Sequence, residues 1–416
     1  MNGATSDDQR VLVIGAGAAG LLIAQVLKKQ SIPCVVFEQD ARPDARPRDW
    51  NYGIYWAQSS LSECLPQALI DQLQSAQVDS HVPSEDDFVS VFNGQTGERL
   101  IDVPAPLNIR LQRRRFLKLI ATGVEIQYGK RLVGVESNPK TATATAIFQD
   151  GSRETGRLLI GTEGAHSRVR EYLLGKEKAA LCPLPLVATA TITRLPEDVV
   201  RSVRGGLHPR YSIAFHPDGY FLWLGIHSDA PNPADCEFML VISWISESET
   251  GLSSSGEKIL EDLRQRASIF EDPFRKVLLS IPPDTRLWHN RLSQWPTQPW
   301  DNRNATVTLA GDAAHPMTFH RGQGLNNAIL DAASLNRQIQ IALQENKNNN
   351  KSVDYSPLGA VVAAYEKELW ERGKEAVESS NLNSLAIHDW EKLQKSPLFT
   401  AGLKRETVVK AETASS

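Results

Sequence analysis

The sequence predicts an α/β protein: a Rossmann-like parallel unit, an inserted and mostly antiparallel β-sheet, and closing helices at the C-terminus. A β-α-β unit opens the chain around the glycine turn GAGAAG. The stretch from about Cys182 to Arg286 alternates in the manner of antiparallel strands, and the stretch SPLGAVVAAYEKELWERGKEAVESSNLNSL has helical spacing.

Val11 to Ile14 (VLVI) is a short apolar run of the kind that forms a strand buried on both faces. Gly15 to Gly20 then reads G-x-G-x-x-G, LLIAQVLKKQ continues as a helix, and a second apolar run, CVVFE, ends on Glu38. In this order Gly15 makes the tight turn, Gly17 lets the backbone approach a phosphate, and Gly20 lets helix and strand pack closely. The first N–H groups of the helix and its positive dipole end suit a pyrophosphate. Glu38 stands 23 positions after the first glycine, placed to accept from ribose hydroxyls. An acid there favours a free 2′-hydroxyl, so FAD or NAD fits better than a 2′-phosphate.

Two further turns follow apolar strands. RLLIGTEGAHSRVREYL, Arg157 to Leu173, is a strand, a glycine turn and a polar helix start. Thr306 to Ala310 (TVTLA) runs into GDAAHPMTFHRGQGLNNAI, Gly311 to Ile329, with an Asp at the strand end and a glycine pair before a helix. The ordered set of three turns resembles the class A flavoprotein monooxygenases, the single-chain aromatic hydroxylases built on the p-hydroxybenzoate hydroxylase fold, and in flavour their fungal secondary-metabolite branch. The match covers roughly residues 10–340.

The resemblance implies a Rossmann-like FAD-binding domain and assigns roles residue by residue. Asp312 would hydrogen-bond the FAD ribityl chain, and Pro316 would sit near the ring face. The helix start at Gly324, Leu325 and Asn326, with Gly322 before it, would aim N–H groups at the N1–C2=O edge of the flavin. Glu163 and Gly164 correspond to the family's Asp-Gly motif, which serves FAD and the reducing nicotinamide; the carboxylate here is one methylene longer. Arg113 matches the arginine of the family's Arg-x-x-Leu/Phe. Arg48 and Gly53 match the segment passing the pyrophosphate and the ring edge. Arg321 replaces the first glycine of a common Gly-Gly pair, so its backbone must hold an ordinary φ.

In the middle region LVATATIT, RYSIAFH, YFLWLGIHS and EFMLVISWI read as strands, with Pro217 to Gly219 a hairpin turn. The family's substrate domain is such a sheet. One face of YFLWLGIH carries Tyr220, Leu222, Leu224 and Ile226, as if covered by helices. The other carries Phe221, Trp223, Gly225 and His227, which with Tyr211 are the candidates for an aromatic ligand. His208, Arg210 and Arg194 are further polar candidates; no catalytic acid or base is assigned. The expected division is 9–180 for the first part of the FAD-binding domain, with about 80–108 joining the sheet, then 181–285 for the substrate sheet, 286–345 for the second FAD-binding part, and 346–416 for C-terminal helices and tail.

The function implied is an NAD(P)H-dependent FAD monooxygenase that inserts one atom of O2 into an aromatic or polycyclic small molecule through a flavin C4a-hydroperoxide. NADPH or NADH would be a transient reductant. The alternatives are a flavin oxidase or halogenase on the same fold, for which the Trp-x-Trp-x-Ile-Pro stretch is missing, or a non-catalytic carrier. With 416 residues, 41% hydrophobic and 23% charged, the chain is an ordinary globular protein. A formal charge of −4 gives no footprint for nucleic acid or a membrane surface. No apolar run approaches the roughly 20 residues of a membrane helix. Four cysteines show no pairing pattern and no metal spacing, and the N-terminus has no apolar signal core, so a cytoplasmic setting is expected.

Overall fold

Val11–Ile14 is buried along its whole length because it lies at the centre of a five-stranded parallel sheet. The computed structural model describes residues 9–247, 255–348 and 358–404. Across the sheet the order is Val307–Leu309, Leu158–Gly161, Val11–Ile14, Cys34–Glu38 and Ile126–Tyr128. The register sets Ile14 beside Gly161, and Gly161 beside Leu309. Three turns that are far apart in the chain therefore leave the same edge side by side, at the carboxyl ends of adjacent parallel strands, where such sheets bind ligands. Helix Ala18–Lys29 buries Leu21, Leu22, Val26 and Leu27, and helix Gly324–Asn348 adds Ile329, Ala332, Ala333 and Leu335 to the same core. An antiparallel excursion, Leu132–Asn138, Thr143–Phe148 and Arg153–Gly156, precedes the strand Leu158–Gly161.

The second sheet has seven strands in the order Leu287–Gln294, Cys182–Arg194, Glu237–Ile245, Tyr220–Ser228, Tyr211–His216, Phe88–Asn93 and Arg99–Pro104. It is antiparallel except where Tyr211–His216 meets Phe88–Asn93. Of the segment about 80–108, Phe88–Asn93 and Arg99–Pro104 pair into this sheet. The boundary expected at 285 falls short, because Leu287–Gln294 pairs with Cys182–Arg194 and is an edge strand of this sheet. The aliphatic face is covered by helices as expected: Leu222, Leu224 and Ile226 share a core with Val199, Val203, Leu260, Leu263, Phe274 and Val277.

At the C-terminus, helix Leu358–Ala386 is pinned through Glu366, which is 1% exposed and accepts from Trp300, Thr308 and Asn302 at 2.7–2.8 Å. The expected solvated linker at 347–351 begins inside the helix that runs to Asn348; the remainder lies outside the described residues. No helix among the described residues is long and apolar enough to cross a membrane.

Candidate cofactor and substrate site

Each glycine of the first turn has the geometry its place in the pattern requires. Gly15 adopts φ +110°, a conformation side chains disfavour. A Cβ on Gly20 would lie 2.0 Å from the Gly15 carbonyl, so helix and turn touch only because residue 20 is glycine. A Cβ on Gly17 would meet nothing within 4 Å: this residue faces open space at the helix N-terminus, and no side chain caps that helix. Glu38 is half-buried and holds the turn from the next strand, accepting from the N–H of Ala16 at 2.8 Å and of Asp40 at 2.9 Å.

At the second turn Glu163 acts first on its own helix. Its Oε1 accepts from the Val169 N–H at 2.8 Å and the Ser167 hydroxyl at 2.9 Å, capping Arg168–Leu174. Its Oε2 is buried without a partner, and burial pushes its pKa up. Gly164 has φ +89° and open space where a Cβ would stand. Arg170, 1% exposed, stitches this turn to the third: it donates to the carbonyls of Ala313 at 2.9 Å and Ala165 at 2.5 Å. Nothing local in the sequence marks it for that work.

The third turn is a short helical turn, Gly311–Ala313, and its Asp312 carboxylate has no hydrogen-bond or ion-pair partner among the described residues. The side chain is exposed to the cleft, yet protein crowds it closely enough that desolvation raises its pKa; Asp331 adds to that, while His315 and Arg170 oppose it. Its Oδ1 lies 3.8 Å from where a Gly324 Cβ would stand, at the start of Gly324–Asn348. Behind the turn lies a buried cluster that the sequence reading missed. Asp331, fully buried, accepts from the Gly311 N–H at 2.6 Å, His315 Nε2 at 2.8 Å and Arg372 at 2.7 Å. An Asp among the apolar residues of AILDAASL was the available signal.

The strand Asn51–Ile54 completes the cleft. Arg48 and Arg113 both stand over the Trp50 ring, at 4.9 and 4.5 Å from its centre, and Tyr52 lies beside both Arg113 and Asp312. Burial pushes the Tyr52 phenol up to about 12. Asn326 is a clamp: its side chain donates to the carbonyls of Gly53 and Gly322 and accepts from the N–H of Tyr55, leaving only its backbone for a ligand. Leu325 is buried in the core, and Gly322 takes φ +63° with the Tyr55 ring 2.9 Å from its would-be Cβ. Arg321 keeps an ordinary φ, as expected, and points away to Ser379 and the carbonyls of Gly402 and Lys404. Pro316, expected near the ring face, is buried with its carbonyl taken by the Trp295 N–H, whereas Phe319, three residues on, is 40% exposed.

The four sheet candidates separate. Trp223 and Tyr211 share the face toward the cleft, joined by Val241, Ala190 and Met239 through direct cross-strand pairs, and Ala190 and Met239 are only half-buried. Phe221 lies on the same face but is covered by the C-terminal segment, packing with Ile387, Leu398 and the His320 ring at 4.8 Å. His227 is a joint: Nδ1 meets Asn51 Oδ1 at 2.6 Å and Nε2 meets Gln112 at 3.1 Å, tying the sheet to the cofactor side. Arg194 is exposed and pairs with Asp235, away from the cleft. Among the described residues no cluster of three or more His, Cys, Asp or Glu is placed to hold a metal.

His320 and His388 meet across Ser243 of the sheet, at 3.0 and 2.9 Å, with Ser384 behind them. One neutral arrangement satisfies both contacts of each ring, with the Ser384 hydroxyl proton then turned from the Ser380 carbonyl to His320. His388 donates from Nδ1 to the Ser384 carbonyl and accepts from the Ser243 hydroxyl; His320 donates to Ser243 Oγ and accepts from the Ser384 hydroxyl. Burial lowers both, His388 to about 4 and His320 well below its usual value. A depressed folded pKa means that stability is full above 6.5, the unperturbed value, and lost as pH falls toward about 4. For His388 the loss is bounded by roughly 3 kcal/mol. The melting temperature of His388→Asn is expected to fall less steeply than wild type over that window, with His208 supplying part of the remaining slope. Parallel profiles would show that this joint does not titrate with unfolding.

A parallel sheet with three turns on one edge, roofed by a second sheet, is the architecture of single-chain flavoproteins in which cofactor domain and substrate sheet share a cleft. Family models match in two places: an NAD(P)-binding Rossmann-like domain over 13–56 and an FAD binding domain over 264–364. The chain is 64% identical to the FAD-dependent monooxygenase cctM of Talaromyces islandicus, over 97% of this chain and 98% of the relative. It is 32% identical to the FAD-dependent monooxygenase phnB of Penicillium herquei, over 96% of each. Among solved structures, 2,6-dihydroxypyridine-3-hydroxylase from Arthrobacter nicotinovorans superposes with TM-score 0.73 at 18% identity, over 92% of this chain and 93% of that one. The chain belongs to the FAD-dependent monooxygenases. Its cofactor is FAD, with NAD(P)H as reductant, and its partners are a small-molecule substrate and O2.

Proposed function

We propose that this protein holds FAD non-covalently across the three turns and oxygenates an aromatic or polycyclic small molecule beneath the second sheet, in fungal secondary metabolism. The observation that carries this reading is Asp312, a carboxylate without a protein partner that opens onto the cleft beside a long helix's N-terminus. The residues present fit the cofactor. The Gly15 N–H is held by the Phe37 carbonyl, so the free N–H groups offered to the pyrophosphate are those at Gly17 and the uncapped start of Ala18–Lys29, and Glu38 keeps lone pairs for the adenosine ribose. Arg48 and Arg113 supply positive charge nearby, Asp312 accepts from ribityl hydroxyls, and Glu163 and Gly164 line the same edge. The N–H groups at Gly324, Leu325 and Asn326 and the helix dipole favour negative charge on the ring. Gly53 and Gly322 make room for the Tyr55 ring at the edge of the cleft, and Pro316 supports the turn from below.

Bound FAD supplies the acceptor for the nicotinamide hydride and the centre that activates oxygen. The protein's part is to orient the substrate on the Trp223 face and exclude water from the cleft. The sequence holds one G-x-G-x-x-G, so NADPH or NADH visits the cleft transiently. All four cysteines are free, which supports a reducing, cytoplasmic setting.

Acid precipitation should release the flavin into the supernatant, and turnover under labelled O2 should add one labelled atom to an aromatic product. Flavin held in the pellet would overturn the non-covalent reading. NAD(P)H consumption that yields only peroxide across a broad aromatic panel would overturn the oxygenase reading for aromatics. Gly17→Ala gives a separate check on the turn. A Cβ there meets nothing in the protein, so the melting temperature without flavin should be unchanged, while FAD content falls. Full FAD content in Gly17→Ala would remove the phosphate from this turn.

A further inference from the structure

Where the strand Ile109–Gln112 faces the second sheet, a polar cluster is left incomplete. Arg110 pairs directly opposite Gly53 and is 7% exposed. Its Nη1 donates to the Tyr55 hydroxyl at 3.2 Å, and its guanidinium lies 4.4 Å from the Trp223 ring centre and 5.0 Å from that of Tyr211. Its Nε is buried without a partner, and no carboxylate pairs with it among the described residues. Neighbouring Arg210, equally buried, differs in having its charge met by Asp79 at 3.1 Å. Asn108 gives its amide to the Tyr211 hydroxyl at 2.6 Å, while its Oδ1 is another buried atom without a partner. Burial keeps the Tyr211 phenol neutral, so it is not the missing anion.

A buried, unmatched guanidinium is unfavourable unless something supplies the opposite charge. The position says what it faces. The Tyr55 ring that Arg110 holds lies against both Gly53 and Gly322, at the edge of the cofactor cleft, and Trp223 and Tyr211 belong to the sheet face that leaves Ala190 and Met239 half-buried. We propose that Arg110, with the Tyr55 hydroxyl, anchors an ionised oxygen of the substrate, a phenolate or a carboxylate, and that Trp223 flanks the ring bearing it. This selects acidic aromatics over neutral ones. It rests on the reading of the Trp223 face as the substrate face.

The test uses the FAD-loaded protein and calorimetric titration with three probes: 2,4-dihydroxybenzaldehyde at a pH where its phenol is ionised, its di-O-methyl ether, and 2,4-dimethoxybenzoate. Wild type should bind an ionised probe more tightly than the ether. Arg110→Met should weaken the ionised probe by about 10- to 100-fold and leave the ether unchanged. Arg110→Lys, which keeps the charge, should recover part of the loss and serves if the Met variant folds poorly. Which ionised probe responds distinguishes phenolate from carboxylate. Equal affinity of wild type and Arg110→Met for both ionised probes, or no binding of either to wild type, overturns the anchor. FAD loss in Arg110→Met with unchanged probe affinity gives the guanidinium to the cofactor instead. Labelled-oxygen incorporation tests the oxygenase reading separately, since a protein that binds acidic probes through Arg110 without oxygenating them keeps the anchor and loses the reaction.

Discussion

Asp331→Ala is expected to cost on the order of 3–5 kcal/mol of folding stability, because it leaves the Arg372 charge without its deepest partner in the core. Arg372 is 3% exposed and its remaining carboxylate, Glu368, is itself 41% exposed. The same change strips an acceptor from His315 and from the N–H of Gly311, so the third turn loses its support from behind. Against a total stability of about 5–15 kcal/mol, that is enough to leave much of the protein unfolded at moderate temperature. Burial alone would raise the Asp331 pKa, but His315, Arg372 and the Gly311 N–H outweigh it and hold the carboxyl below the usual range. Its contribution is therefore complete above the unperturbed 3.8 and is lost as pH falls below that value. Urea denaturation at neutral and at acid pH reads both effects. A variant within about 1 kcal/mol of wild type at neutral pH would show that the cluster is not a source of stability.

What the sequence made legible is what short stretches determine. The glycine turn could be read because Gly15, Gly17 and Gly20 meet their constraints within one strand, turn and helix. The sheet faces could be read because side chains alternate with period two, and Leu222, Leu224 and Ile226 do turn to the helices. Period does not say what covers a face. Phe221 and Trp223 are equivalent by alternation, yet the C-terminal segment closes over Phe221. His227 looked like a polar handle, but Asn51, from a strand far away in sequence, takes its Nδ1. The contacts that stitch the turns together, Arg170 to Ala313 and Arg372 to Asp331, join residues 143 and 41 positions apart. No spacing rule reaches that far. Glu163 was legible in part: an acid four residues before Ser167 at a helix start is a cap signal as well as a site signal.

Asp312→Ala should weaken FAD binding by about 10- to 100-fold, since a carboxylate that accepts from ribityl hydroxyls contributes charge-assisted hydrogen bonds and truncation leaves those donors unpaired. Asp312→Asn should lose nearly as much, because the amide keeps the shape but not the charge. The structure adds an opposing expectation for the flavin-free protein. Desolvation raises the Asp312 pKa, so its protonated form is the one folding favours. Stability from this group is thus present below the unperturbed 3.8 and lost as pH rises through the raised value, which means that the ionised carboxylate strains the empty protein at neutral pH. Asp312→Asn removes that charge and should raise the melting temperature of the flavin-free protein while lowering its FAD content. Such a trade of stability for binding marks a residue kept for its ligand, whereas a structural turn residue would lose both together. Flavin titration and thermal melting of stripped protein measure the two sides. A variant that melts lower without flavin and still retains FAD at the wild-type level would make the turn structural and take the ribityl contact away from Asp312.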